Sequence, residues 1–101
     1  MDFERKNQLP MRTLRAQTTA TIFGTRDSWS LARHAQFEAA GIRCIVRLEI
    51  RGDEKNGYHL VESPEGFFTA DDWHSTIVEA QRSASELFGV GPQQWSEDGP
   101  T

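Results

Sequence analysis

Between residues 42 and 51 apolar and polar side chains alternate strictly. Cys44, Val46, Leu48 and Ile50 fall on one side, and Arg43, Arg47, Glu49 and Arg51 on the other. A period of two is that of a strand with one buried face. Residues 52–57, Gly-Asp-Glu-Lys-Asn-Gly, follow with turn chemistry, the Asn-Gly step favouring positive φ. Residues 58–63 then predict the returning strand of a hairpin. Pro64-Glu65-Gly66 predicts another turn, and residues 67–69 a short third antiparallel strand. Upstream, residues 17–23 are rich in β-branched side chains and stop at Gly24, which predicts a first strand.

From Thr76 the period lengthens. Ile77, Ala80, Ala84, Leu87 and Phe88 keep helical spacing. Thr76-x-x-Glu79 is a capping-box pattern, Gly89 stands where a C-terminal cap belongs, and Pro92 blocks continuation. Residues 28–40 carry two patterns. Asp27 or Ser28 as cap, a helix-forming composition and Gly41 as stop predict a helix; odd-numbered apolar positions from Trp29 to Ala39 are the competing strand pattern. The helix is the preferred expectation, because cap, propensity and stop agree.

The expected fold class is therefore α+β: a small antiparallel sheet of three to four strands, covered by a C-terminal amphipathic helix, in the order β-α-β-β-α. Residues 1–16 mix charge and polarity around Pro10 and are expected to form a flexible arm. Residues 17–95 make one domain, and residues 96–101 a disordered tail.

Composition changes this picture little. A chain of 101 residues has room for one core, and three Trp, six Phe and one Tyr are more aromatics than a disordered chain of this length carries. Cys44 is the one cysteine, so no internal disulfide forms, whereas small secreted domains usually depend on them. No apolar run approaches a signal-peptide core or the roughly 20 residues of a membrane span. A cytoplasmic location with no membrane contact is the expectation. The net charge of −4 is unevenly spread: +4 over residues 1–51, −3 over 52–70 and −5 over 71–101. Such a dipolar chain is expected to neutralise itself in the fold.

Candidate chemistry concentrates just before the last helix, in Asp71-Asp72-Trp73-His74-Ser75-Thr76. Helix N-termini attract anions. The simpler alternative is that Asp71 and Asp72 cap amides, Trp73 plugs the core edge and His74 bonds a backbone carbonyl. Arg43, Arg47 and Arg51 form a cationic stripe suited to phosphates, interrupted by Glu49 in a chain that is acidic overall. Cys44 points to the core by its alternation, so no nucleophile is expected there. His34, His59 and His74 lack metal-ligand spacing. No phosphate-binding glycine loop or serine elbow is present. No catalytic residue, cofactor or metal is therefore expected.

Asp71-x-Trp73-His74-x-Thr76-x-x-x-Ala80-x-x-x-Ala84, followed by Phe88-Gly89-Val90 and Trp95, resembles a recurring C-terminal pattern in small uncharacterised bacterial proteins. That resemblance brings no activity with it. Gly57-Tyr58, Pro64-x-Gly66 and Thr76-x-x-Glu79-Ala80 are similar to parts of HicB-like antitoxins, and this resemblance implies a β-β-β-α core. The functional expectation is a non-catalytic bacterial protein-binding module of the inhibitor, immunity or antitoxin-partner kind. Trp73, His74, Asp71, Asp72 and Trp95 are its expected binding residues. The alternatives are a nucleic-acid-binding module using Arg43, Arg47 and Arg51, and a small enzyme or metal site at Asp71 and His74.

Overall fold

The computed structural model describes residues 11–31 and 41–98. Strands β1 (Arg12–Thr25), β2 (Ser28–Ser30), β3 (Ile42–Asp53), β4 (Gly57–Pro64) and β5 (Ala70–His74) are followed by helix α1 (Ile77–Phe88), a 3-10 turn (Pro92–Gln94) and strand β6 (Ser96–Glu97). All pair antiparallel in one six-stranded sheet, β2-β1-β3-β4-β5, with β6 also on β1.

The hairpin expected from the alternation is present, with Ile50 opposite Leu60 and Arg51 opposite His59. Its inward residues Val46, Leu48, Ile50, Tyr58 and Leu60 are buried, and Cys44 packs half-buried against them. β1 supplies the next inward row through Leu14, Ala16, Thr18, Ala20 and Ile22, opposite Ile50, Leu48, Val46, Cys44 and Ile42.

The α+β expectation of a three- to four-stranded sheet is overturned. Strand makes up 56% of the described residues, and among them the sheet is a curled antiparallel half-barrel accompanied by one short helix. Three local readings account for the difference. β1 starts at Arg12, so residues 12–16 belong to a strand and not to an arm. Charged Arg12 and Arg15 and small Ala16 and Ala20 hide its period of two. Ser28–Ser30 is a strand paired with Phe23–Thr25, where a helix was expected; residues 32–40 lie outside the described residues, as do residues 1–10 and 99–101. In the C-terminal segment, Ser96 and Glu97 pair with Arg15 and Leu14 and are strand, not a loose tail.

The curl has a visible cause. A 14-residue strand paired along most of its length accumulates right-handed twist, which brings the two margins of the sheet together. The β4–β5 loop meets the β1–β2 turn: the Phe68 N–H donates to the Arg26 carbonyl (2.9 Å) and the Trp29 indole N–H to the Phe68 carbonyl (2.9 Å). The Trp29 and Phe68 rings lie 5.9 Å apart. Phe67 and Phe68 thus belong to a docking loop and not to the expected strand over 67–69; the strand begins at Ala70.

Helix α1 lies against the inner face and buries Ala80, Ala84 and Phe88. Small alanines let its backbone approach the strands. Thr76 Oγ1 accepts from the Glu79 amide (3.1 Å), as the capping pattern predicts, but the Glu79 carboxylate accepts from the Ser75 amide and hydroxyl, not from Thr76. The Ser75 hydroxyl bond holds the Glu79 carboxyl below its usual pKa. Gly89, at φ 72°, donates to the Ser85 carbonyl and ends the helix in a conformation that favours glycine. Thr76→Ala should cost about 0.5–2 kcal/mol in urea denaturation, and Glu79→Ala less, because Thr76 keeps its own amide bond. Equal losses would contradict this division. Among the described residues no helix is long and apolar enough to cross a membrane.

Candidate functional site: the outward face of the sheet

Directly paired residues in an antiparallel sheet project to the same side. The register therefore sorts the expected site residues without further assumption. Arg51, His59 and Trp73 form one cross-strand row. Ser96, Arg15, Glu49, Val61 and Asp71 form the next, and Gln17, Arg47 and Ser63 a third. All lie on the face opposite α1. Arg43 shares that face further along β3, opposite Thr21.

The acidic-aromatic motif does stand just before the helix, with Thr76 as its cap, but its first four residues are strand and do not cap. Asp71, Asp72, Trp73 and His74 are consecutive residues of β5, and their side chains alternate between faces. Asp71 and Trp73 project outward beside the arginines. Asp72 and His74 project inward, opposite Leu60 and Tyr58. Asp71 and His74, the pair named in the alternative reading of a small enzyme or metal site, stand on opposite faces. Asp71 instead bonds His59, Nδ1 to Oδ1, at 2.8 Å. Among the described residues no three of His, Cys, Asp and Glu converge to hold a metal ion. Trp95 packs partly buried against the core cluster, and its indole nitrogen has no hydrogen-bond partner among the described residues. It does not share the outward face with Trp73.

Trp73 is 57% exposed yet firmly placed. Its indole N–H donates to the Asn56 carbonyl (3.0 Å), and its ring covers the position a side chain would take at Gly57. The turn beneath is fixed in its own right, since the Asp53 carboxylate accepts from the Asn56 amide at 2.7 Å, a bond that lowers the Asp53 pKa.

The arginines are partly neutralised, as the dipolar charge pattern predicts. Glu49 is clamped between Arg15 and Arg51, the latter at 2.7 Å. Arg15 also reaches Asp98 (3.2 Å), Arg12 makes a two-pronged pair with Glu97 (2.7 Å), and Arg47 faces Glu65 at 3.6 Å. The Arg43 guanidinium donates to the Thr19 hydroxyl at 2.9 Å. Exposed pairs of this kind contribute little to stability, so partners can exchange them readily. Two hollows lie on this face. One, of about 600 Å³, is lined by Arg15, Gln17, Arg47, Glu49 and Ser63 among others. The other, of about 320 Å³, lies between exposed Met11, Arg51, His59 and Asp71.

Comparison of the chain with protein-family models, with curated proteins and with solved structures finds no match. Function therefore has to be read from the faces themselves.

One inner residue escaped the sequence reading. Glu62 is 5% exposed and projects inward from β4, between Leu48 and Ala70 in register. Burial, with Asp72 beside it, raises its pKa to about 7. The signal was available: Tyr58, Leu60 and Glu62 share one parity, and that parity is the core face.

Proposed function

We propose that the chain is a non-catalytic protein-binding module, of the inhibitor, immunity or antitoxin-partner kind, that presents the outward sheet face to an acidic surface of another protein. The observation that carries this reading is the placement of Trp73. An exposed indole pinned by a hydrogen bond and a glycine contact loses little freedom on binding, so its apolar area contributes almost in full. It stands in one row with His59 and Arg51, with Asp71 and Arg47 in the rows beside it. Trp and Arg are the residue types most enriched at interface hot spots. Four arginines, Arg15, Arg43, Arg47 and Arg51, stand here against the carboxylates of Glu49, Asp71, Glu65 and Asp98, and because exposed pairs exchange readily the arginines stay open to a carboxylate-bearing partner.

The surfaces expected as rivals, the Trp73 region and the arginine stripe, are contiguous, so their contributions are separable only by mutation. In affinity capture from the native host, Trp73→Ala is expected to weaken binding of the captured partner at least tenfold, in line with hot-spot losses of about 2 kcal/mol or more. Arg47→Ala should weaken it less, and mainly at low salt. Both variants should keep wild-type circular dichroism. Undiminished binding by folded Trp73→Ala and Arg51→Ala proteins would refute the reading. A second reading, nucleic-acid binding, draws on Arg47, whose ion pair with Glu65 is exposed and therefore readily exchanged. Retention on single-stranded nucleic acid that falls steeply with salt, and is unaffected by Trp73→Ala, would favour it.

A further inference from the structure

The inner face of β5 carries a second arrangement that binding does not use. Glu62 on β4 and Asp72 on β5 are diagonal neighbours on the inner face, Glu62 standing opposite Ala70 and Asp72 opposite Leu60, and the nearness of Asp72 adds to the burial that raises the Glu62 pKa. Two carboxyl groups bond to each other only when they share a proton, one O–H donating to the other's oxygen. The Glu62 oxygen Oε2 is buried with no hydrogen-bond partner among the described residues. The register neighbours of Glu62 among the described residues include no Lys or Arg. Leu48 lies beside it on β3, Ala70 and Asp72 on β5, and α1 turns Ala80, Ala84 and Phe88 toward the sheet. Asp71, on the opposite face of β5, adds further negative charge. His74, two residues beyond Asp72 on the same face, has a buried Nε2 that has no hydrogen-bond partner among the described residues.

We propose that the Glu62–Asp72 carboxyl pair is a proton-operated latch that holds edge strand β5 to the sheet and so sets the position of Trp73 and Asp71 on its other face. With the proton in place, a neutral Glu62 bonds Asp72 across the β4–β5 pairing. With the proton lost, two carboxylates face each other, one of them in an apolar setting. The strain is relieved most easily by moving Asp72, which is already exposed and stands on the last strand of the path β2-β1-β3-β4-β5. A partner that needs Trp73 in place would therefore bind with proton uptake. That last consequence rests on the outward-face reading; the latch itself does not.

The sign follows from linkage. The Glu62 pKa lies at about 7 in the fold and near 4.5 when the carboxyl is exposed. The closed state then binds more protons between these values, and opening becomes easier as pH rises through that window. The test is amide hydrogen exchange of the unbound protein, read as protection factors so that the intrinsic pH dependence of exchange is removed. Protection of residues 70–74 should fall about tenfold or more between pH 5 and pH 8, while protection of residues 46–50 changes little. Glu62→Gln, permanently neutral and of the same shape, should flatten that response. Asp72→Asn, at an exposed position, should move it to lower pH, which keeps the proposal testable if Glu62→Gln does not fold. A flat wild-type profile, or an unchanged one in either variant, would overturn the latch. Because no partner is present, failure here is distinct from failure of the binding reading.

Discussion

Leu48→Ala is expected to lower the free energy of unfolding by about 2–5 kcal/mol, while Arg47→Ala, one residue away, changes it by less than about 0.5 kcal/mol. Leu48 sits on β3, which is flanked on both sides, with Ala16 opposite on β1 and Glu62 opposite on β4. It is almost wholly buried, beneath a helix that brings alanines to the sheet. Neither flanking strand can close a hole without breaking its own ladder, and small neighbours have no spare volume to donate. The loss should therefore fall in the upper part of the range. Arg47 projects into water, and its carboxylate partner Glu65 is exposed. Urea denaturation followed by circular dichroism measures both. Comparable losses from the two variants would mean that the faces of β3 are assigned the wrong way round.

Gly57→Ala is expected to cost about 2–4 kcal/mol, from two separable sources. Gly57 has φ 85°, a conformation that L side chains adopt only with strain. In addition, an added methyl would land on the Trp73 ring, well inside contact distance of three of its atoms. The ring must then leave its seat, and the bond to the Asn56 carbonyl breaks with it. Trp73→Ala removes the obstacle, so in that background Gly57→Ala should cost only the backbone part, about 1–2 kcal/mol. A double-mutant cycle measures the difference directly. Strict additivity would show that Trp73 does not rest on Gly57. The same variant bears on function, because a displaced indole should weaken partner capture as strongly as its deletion does.

The period-two pattern of residues 42–51 determined the β3–β4 hairpin and its buried face, because a strand with one wet side leaves a strict alternation. The capping pattern at Thr76 and the glycine at 89 determined both ends of α1, since caps are local hydrogen-bonding requirements. The opposed charges of the two halves of the chain likewise announced pairs such as Arg12 with Glu97 and Arg15 with Asp98. Tertiary structure decided the rest. β1 has an inward face of Leu, Ala, Thr, Ala and Ile, too mixed to stand out, and it becomes a strand because β3 offers it a partner along eleven positions. Residues 71–74 do lead into the helix, as their sequence suggests, but pairing with β4 makes them strand and not cap and sends alternate side chains to opposite faces. That alternation split the expected site, joining Trp73 and Asp71 to Arg51 and His59, and turning Asp72 and His74 toward Glu62. Which side chains meet across a sheet is a property of register between distant segments, and register is settled by the burial of the whole face at once.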